Sequence, residues 1–318
     1  MPKILKSTPE RKIKSTPAPE GFSLISNEKL VAIYSAMVKC RILQQRASSL
    51  FQHGKLASDL HASYGCEAVA AAVAVDLQPN DTLSLLPGDL LPGFVKGLSL
   101  ESLFHLLTSD TASINVQKTF ASSDLKQKYI LIADESRRPE AVRDRATVAQ
   151  AAKEGAIVAA MLPSGDGWLA SWHSVMATAA SQRLPILFVH HVDHGYEPSD
   201  PSSNRKAKNP DALLLGVPAI AVDALDAVAV YRVAYEAIIR ARQGRGATLL
   251  QCAAHFGMPD KATRRISRPS ANPALTADPV SLMENYLKRK GIKSEQHNSE
   301  IVAALNLDLD LATRFLDH

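Results

Sequence analysis

The stretch between Ala156 and Gly195 constrains the fold more than any other part of the sequence. Residues 156–162 and 184–189 are two short, continuous apolar runs, and the predicted helix between them carries Trp172 on its apolar face. Apolar runs of this length are typical of strands that are covered on both faces in a parallel sheet. The order strand, helix, strand makes the two strands parallel. The sequence therefore predicts an α/β fold with a mainly parallel, doubly wound sheet and helices on both faces.

Polar turns follow both predicted strands. Gly165-Asp166-Gly167 comes after the first strand, and Asp193-His194-Gly195-Tyr196 comes after the second. The carboxyl ends of parallel strands meet at one edge of the sheet, which is where open α/β sheets bind ligands. We therefore expect Asp166 and His194 to lie at the same carboxyl edge. A tight strand-to-helix turn also needs glycines around Asp166, so turn geometry is a second explanation of that motif.

The rest of the chain shows the same alternation of helices and strands. The spacing of apolar residues predicts helices over residues 26–54 and 67–77, and the second is rich enough in Ala and Val to be buried. Further predicted elements are a strand at 219–222, a helix capped by Asp226 that extends to Arg242, a strand at 248–253, a helix around 282–287 and a helix at 300–316. Residues 1–24 are rich in Lys, Ser, Thr and Pro, which predicts a flexible tail and leaves residues 25–318 as one domain.

Composition narrows the class of protein. The formal net charge is +4, but the tail supplies much of it, so the domain lacks the basic pattern that nucleic-acid binding needs. No apolar window approaches a membrane span, and lysines and prolines stand where a signal peptide has an apolar run. We therefore expect a cytoplasmic protein with no nucleic-acid partner and no membrane segment. The cysteines Cys40, Cys66 and Cys252 lie far apart and are expected to be small core residues.

Several short motifs follow one another along most of the chain. They are Ile33-Tyr34 with Arg41 and Arg46, the segment 50–55, His61 with Gly65-Cys66-Glu67-Ala68, Lys96-Gly97, Gly165-Asp166-Gly167, Leu184-Pro185, Gly216-Val217-Pro218 and Asp278-Pro279. In order and spacing these motifs resemble those of the α subunits (E1α) of heterotetrameric pyruvate, branched-chain 2-oxo acid and acetoin dehydrogenases. Their number and order carry the resemblance, since no single motif is decisive.

The resemblance implies a fold, an activity and partners. The fold is the thiamine-diphosphate-binding fold, and the activity is the oxidative decarboxylation of a 2-oxo acid with transfer of the acyl group to lipoyl. The implied cofactors are thiamine diphosphate and Mg²⁺. The implied partners are a β-type E1 subunit, with which the chain would form a heterotetramer, and a lipoyl-bearing E2. We therefore expect that the isolated chain is not a monomer.

The resemblance also assigns roles to individual residues. It gives cofactor binding to Gly165, Asp166, Gly167, Asp193 and Tyr196. The implied metal ligands are Asp166, His194 and the backbone carbonyl of Tyr196. His61 matches an active-site histidine of the family, although an isolated histidine is more often a hydrogen-bonded core residue.

Three departures from the family pattern weaken the predicted cofactor site. His194 stands where the family has an Asn whose amide oxygen ligates Mg²⁺, and imidazole suits Zn or Cu instead. Gly88 stands where the family has an Arg for the diphosphate, and Asp89 beside it repels phosphate. Between Gly97 and Gly155 the sequence has no glycine. The family uses glycines in this interval to bring the backbone close to the cofactor.

Three functions remain open on the sequence. The first is a divergent E1α-type subunit, either active or with a degraded cofactor site in which Asp193 replaces the missing amide. The second is a catalytically inactive scaffold or regulatory pseudoenzyme of the same fold, which the missing residues favour over a fully working site. The third is a metal-dependent hydrolase that uses His191, Asp193 and His194. Its zinc signature needs a histidine where Val189 stands, and the parallel α/β pattern fits that fold badly.

Overall fold

The computed structural model of the chain describes residues 25–60, 66–86, 88–108, 118–119, 129–132, 135–164, 167–192, 215–253, 278–292 and 295–317. The helices are α1 (Asn27–Gln52), α2 (Cys66–Ala74), α3 (Leu91–Lys96), α4 (Leu100–Thr108), α5 (Arg138–Ala152), α6 (Trp168–Gln182), α7 (Ala227–Arg242), α8 (Pro279–Arg289) and α9 (Glu295–Ala312), followed by a 3-10 turn (Arg314–Asp317). The strands are β1 (Thr82–Leu85), β2 (Lys118–Thr119), β3 (Ile130–Ile132), β4 (Val158–Leu162), β5 (Ile186–Val192), β6 (Ala219–Asp223) and β7 (Thr248–Ala253). The predicted tail, residues 1–24, lies outside the described residues. Within the described ranges, no helix has both the length and the apolar character needed to cross a membrane.

Seven strands of the described chain form one sheet. Their order is β2-β3-β1-β4-β5-β7-β6. Neighbouring strands are parallel throughout, except that β2 runs antiparallel to β3 with Lys118 opposite Ile132. The predicted α/β fold with a mainly parallel sheet is confirmed.

Helices cover both faces of the sheet. In β4, Val158, Ala160 and Leu162 belong to a core beneath α5 and α6, whereas Ala159 and Met161 belong to a larger core beneath α2 and α7. Because both faces are buried, the strand has a continuous apolar run instead of an alternating one. On the side of the larger core, α1 packs against α2 and contacts α8 and α9. The predicted doubly wound arrangement is therefore confirmed.

The chain leaves β1 and β4 in opposite directions along the sheet. From β1 it continues through α3 and α4 to β2 and β3, and from β4 it continues through α6 to β5 on the other side. β1 and β4 are hydrogen-bonded neighbours, with Ser84 opposite Ala160. The crevice between their carboxyl ends is therefore the topological switch point, where open α/β sheets bind ligands.

Most predicted elements are present, and the differences lie at their ends. The strand predicted at 184–189 begins after Pro185, which has no N–H group for a ladder hydrogen bond, and it continues to Val192. The helix predicted at 67–77 ends at Ala74, and Pro79 excludes a helix that continues past this segment. The last predicted helix, 300–316, begins earlier and finishes as the 3-10 turn.

A buried ion pair between Asp81 and Arg242 holds the amino edge of the sheet. The Asp81 carboxylate is 0% exposed and accepts two hydrogen bonds from the Arg242 guanidinium, at 2.9 and 2.6 Å. It also accepts the backbone N–H groups of Ile157 at 2.9 Å and Gln78 at 2.6 Å. Arg242 donates a further bond to the carbonyl of Gly155 at 2.9 Å. This ion pair, the amino-edge clamp, ties the last residue of α7 to the segments that enter β1 and β4.

Candidate functional site

Except for His61, the predicted site residues follow the carboxyl ends of β4 and β5. Gly167 is the N-cap residue of α6, at the end of the turn that follows β4. The other predicted site residues, Gly165, Asp166, Asp193, His194, Tyr196 and His61, lie outside the described residues. The strands that lead into the two turns are parallel neighbours with Leu162 opposite His190, so both end at one edge. The proximity of Asp166 and His194 stays a prediction.

The strand β5 carries two histidines to the carboxyl edge. His190 is buried, and its ring centroid lies 4.8 Å from that of Trp168. His191 is partly buried at the end of the strand. Among the described residues, no group of three or more His, Cys, Asp or Glu side chains could hold a metal ion. The hydrolase alternative also needs Asp193 and His194, which lie outside those residues, so it stays untested.

The turn after β1 adopts a backbone conformation that favours glycine. Gly88 has a φ of +92°, in the left-handed region where a substitution is strained. This is the position at which the family resemblance places a phosphate-binding arginine. An arginine at position 88 would therefore require a different backbone as well as a different side chain. The departure from the family pattern involves the whole turn.

A buried ion pair lies at the switch point. Arg138 in the first turn of α5 is 0% exposed, and its Nε and Nη2 donate to Glu135 Oε2 at 3.2 and 2.8 Å. Its Nη1 donates to the backbone carbonyl of Met161, one residue before the end of β4. The indole N–H of Trp172 donates to Glu135 Oε1 at 3.0 Å, and the guanidinium carbon lies 5.0 Å from the Trp172 ring centroid. We call Glu135, Arg138 and Trp172 the Arg138 cluster.

Local sequence explains how the cluster forms. Pro139 favours the first turn of a helix, so α5 begins at Arg138, three residues after Glu135. Trp172 is in the second turn of α6 and faces the sheet, where its ring meets Phe188 edge-on at 6.0 Å. The loop before α5 follows β3, Met161 belongs to β4, and β1 lies between these strands. The cluster therefore joins the segments on both sides of the switch point.

Two carboxylates near Arg138 offset the cost of burying its positive charge. Burial lowers the pKa of the Arg138 guanidinium, whereas the nearby carboxylates of Glu135 and Asp89 act in the opposite direction. Glu135 comes from the loop after β3, and Asp89 comes from the turn after β1. The buried positive charge at the switch point is thus neutralised by residues of this chain.

The described residues of this edge do not fit a diphosphate. Gly88 replaces the implied arginine, and the buried guanidinium of Arg138 is already bound by a carboxylate. The Glu135 and Asp89 carboxylates repel phosphate oxygens. Arg137 is the adjacent cation, but it is exposed, where water and salt screen its charge. The described part of the edge is complete without a bound anion.

The sequence patterns above do not predict the Arg138 cluster. The interval between Gly97 and Gly155 was notable only for its lack of glycine, and Trp172 was expected to be part of a helix face. The Glu-x-x-Arg spacing of Glu135 and Arg138 before Pro139 is a detectable pattern, but it is typical of an exposed ion pair at a helix start. Burial of the pair depends on contacts with β4 and α6, which are distant in sequence.

Three residues of the family-like motifs form an ion-pair cluster between helices. Arg41 of α1 donates to Glu67 of α2 through Nε at 3.1 Å, and its Nη2 lies 2.5 Å from Oδ1 of Asp278. Asp278 is the N-cap residue of α8, and its Oδ2 accepts the backbone N–H of Ser281 at 2.8 Å. Burial lowers the pKa of Arg41, but its hydrogen bonds to Asp278 and Glu67 outweigh this effect and raise it. These motif residues therefore join α1, α2 and α8.

Replacing Asp278 with Asn is expected to change the pH dependence of stability while preserving the helix cap, because Asn caps helices as well as Asp. Partial burial raises the pKa of Asp278, but hydrogen bonds from Arg41 and Ser281 outweigh it and lower the pKa from 3.8 to about 2. The stabilisation that the ionised Asp278 carboxylate provides is therefore present above pH 3.8 and is lost as the pH falls towards 2. Thermal melts should show a Tm gap between the two proteins that closes on acidification. An equal gap at every pH would contradict a contribution from charge.

Comparison with known proteins gives one family. The family model for the dehydrogenase E1 component matches residues 34–314. The pyruvate dehydrogenase E1 component subunit alpha of Staphylococcus aureus (strain Mu50) is 26% identical over 305 residues, covering 92% of this chain and 80% of the relative. The pyruvate dehydrogenase E1 component subunit alpha-3, chloroplastic, of Oryza sativa subsp. japonica is 24% identical over 330 residues, covering 96% and 76%.

Similarity to a solved structure is weaker. A thiamin diphosphate-dependent enzyme isolated from Mycobacterium smegmatis has a TM-score of 0.37 and 16% identity to this chain. The match covers 60% of this chain and 32% of the other, so this chain spans about a third of that protein's length. A similarity of this size does not establish a shared fold.

Proposed function

The chain belongs to the dehydrogenase E1 component family, and from this premise we propose that it is the α-type E1 subunit of a 2-oxo acid dehydrogenase. The proposed activity of the assembled complex is oxidative decarboxylation of a 2-oxo acid with transfer of the acyl group to lipoyl. The observation that carries the proposal is the extent of the family match, which runs from α1 to the turn after α9. The names of the relatives, which are alpha subunits of pyruvate dehydrogenase E1, support the same role.

The proposed partners are a β-type E1 subunit and a lipoyl-bearing E2. A protein that is similar to subunits designated alpha is expected to assemble with a second kind of subunit. The assembly we propose is the heterotetramer of the family. The exposed apolar side chains of α9, Leu307 and Leu311, are compatible with further contacts in such an assembly.

The proposed cofactors are thiamine diphosphate and Mg²⁺, held by a weakened site. Asp166 is the proposed metal ligand, with Gly165, Gly167 and the carbonyl of Tyr196 beside it. The weakening is supported by the glycine-type turn at Gly88 and by the pairing of Arg138 with Glu135. Replacement of an amide ligand by His194 also weakens the binding of Mg²⁺, unless Asp193 ligates the metal instead of the missing amide.

Calorimetry on the complex of this chain with a β-type E1 subunit tests the proposal. Each lost charge-assisted contact is worth about 1.5 to 3 kcal/mol, and about 1.4 kcal/mol corresponds to a tenfold change in affinity. Because two such contacts are missing, thiamine diphosphate with Mg²⁺ should bind on the order of 100-fold more weakly than to the E1 of the Staphylococcus aureus relative. Asp166→Ala should abolish the residual binding. Asp144→Ala, which removes an exposed carboxylate of α5, is the matched control and should leave it unchanged.

Two outcomes would contradict separate parts of the proposal. Binding as tight as in the reference E1 would refute the weakened site but leave the subunit role intact. Failure of the full chain to form a complex with any β-type E1 subunit would refute the subunit role. These two results are obtained from different steps of the same experiment.

The second candidate function is a scaffold or regulatory subunit without catalysis. The Arg138 cluster favours it, because the buried guanidinium of Arg138 is paired with Glu135 without a ligand. A complex that forms with the β-type subunit but gives no heat with thiamine diphosphate and Mg²⁺ would make this the better description.

A further inference from the structure

We propose that the Arg138 cluster is an anion-binding site that the chain's own Glu135 occupies. In this arrangement the Arg138 guanidinium is the cation of the site, and the carboxylate of Glu135 is a built-in ligand that takes the place of a phosphate-type anion. The inference rests on the proposed function, since it identifies the residues that close the weakened cofactor edge.

The position of Arg138 is the first argument. The guanidinium lies where the loop after β3 meets the end of β4, and the strand between them is β1. This is the switch point of the sheet, at which parallel α/β folds bind charged ligands. A structural arginine could be placed anywhere on α5. Arg138 lies instead at the switch point of the described sheet.

The geometry of the pair is the second argument. A guanidinium presents five N–H donors and prefers to bind carboxylate or phosphate with two parallel bonds. Arg138 instead directs both Nε and Nη2 at one oxygen of Glu135, so the pair lacks the two parallel bonds to separate oxygens that a bidentate anion would make. Its third hydrogen bond goes to the carbonyl of Met161. The three bonds leave two N–H donors for an acceptor that has more oxygens than a carboxylate, such as a phosphate group.

The exposure of the two partners is the third argument. The Arg138 side chain is 0% exposed, whereas that of Glu135 is 39% exposed. Glu135 is therefore the partner that solvent reaches, and it is the part of the pair that an incoming anion would displace. The cation–π contact with Trp172 helps to hold the guanidinium in place. Removal of the carboxylate would leave a fixed, buried cation without its counter-ion.

Binding of inorganic pyrophosphate to the full-length chain tests the proposal. The variant Glu135→Ala should gain pyrophosphate affinity by about tenfold to 100-fold over the unmodified chain, because one charge-assisted contact becomes available. Glu135→Gln keeps the shape of the side chain and should show a smaller gain in the same direction, so a folding defect in the alanine variant does not decide the result. Binding is followed by tryptophan fluorescence, since both tryptophans, Trp168 and Trp172, lie at this edge.

Two controls separate Arg138 from general charge effects. Glu154→Ala changes the net charge equally but lies exposed near the amino edge, and it should give no gain. The double variant Glu135→Ala with Arg137→Gln should keep the gain, because Arg137 is exposed and outside the cluster. Loss of the gain in this double variant would assign the anion to Arg137 and overturn the proposal.

The remaining outcomes are also decisive. If the unmodified chain already binds pyrophosphate as tightly as Glu135→Ala, the site is not closed and the proposal is wrong. If neither Glu135 variant gains affinity while the unmodified chain binds cofactor weakly, the built-in ligand is refuted and the proposed weakened site stands. Tight cofactor binding by the unmodified chain with its β-type partner would instead refute the weakened site itself.

Discussion

Replacement of Asp81 by Ala is expected to lower the free energy of unfolding by about 3 to 5 kcal/mol. The change leaves the guanidinium of Arg242 largely buried without its carboxylate, since that side chain is only 14% exposed. It also removes the acceptor for the backbone N–H groups of Ile157 and Gln78. An uncompensated buried charge is costly, because its hydration is lost and nothing replaces it. Urea denaturation followed by circular dichroism measures the loss.

The control for this prediction is an ion pair of the same residue types on the surface. Asp144 pairs with Arg143 at 3.0 Å, and their side chains are 69% and 37% exposed. Asp144→Ala should change the free energy of unfolding by less than about 1 kcal/mol. Asp81→Asn keeps the shape of the side chain, and its loss of unfolding free energy should lie between those of Asp81→Ala and Asp144→Ala. Equal effects of Asp81→Ala and Asp144→Ala would show that the amino-edge clamp is not a principal source of stability.

Replacement of Trp172 by Ala is expected to cost about 3 to 5 kcal/mol of unfolding free energy, as for other buried aromatic residues. The indole is fully buried between α6 and the sheet, where it meets the ring of Phe188. Its removal leaves a cavity. Glu135 also loses the hydrogen bond that the indole N–H donates, and Arg138 loses the aromatic ring that it contacts. The loss therefore combines missing packing with a less well satisfied buried ion pair.

Trp172→Phe separates these two contributions. Phenylalanine keeps an aromatic ring against Phe188 and Arg138 but has no N–H group for Glu135. We expect a loss of about 1 to 2 kcal/mol, between the unmodified chain and Trp172→Ala. Chemical denaturation of the three proteins, followed by circular dichroism, gives the order of their unfolding free energies. A Phe variant as unstable as the Ala variant would mean that the hydrogen bond, and not the packing, determines the effect.

Local patterns predicted the parts of the fold that depend on local interactions. The two apolar runs became adjacent parallel strands, because strands buried on both faces need no polar residues. Asp226 was predicted as a helix cap, and its Oδ1 accepts the N–H groups of Val228 at 3.0 Å and Ala229 at 2.9 Å. Such features are encoded within a few residues, so a single sequence is sufficient to find them.

The unpredicted parts depend on contacts between distant segments. β1 pairs with β3 and β4, whose paired residues lie 47 and 76 positions further along the chain (Leu83 with Ile130, Thr82 with Val158), and no local pattern determines that order. The candidate site shows the same limit. Glu135 and Arg138 have the spacing of a surface ion pair, and only the approach of Met161 and Trp172 makes them a buried cluster. Asp166, Asp193, His194, Tyr196 and His61 remain predictions from family resemblance.

The location of the amino-edge clamp has an evolutionary consequence. The clamp joins α7 to β1 and β4 on the side of the sheet opposite the turns that carry Gly88 and Gly167. Substitutions in those turns therefore leave the clamp's hydrogen bonds intact. A lineage can therefore exchange residues of these turns one after another while the clamp continues to hold the opposite edge of the sheet in each intermediate. Selection on the carboxyl-edge turns and selection on the stability of the amino edge thus act on separable parts of the same chain.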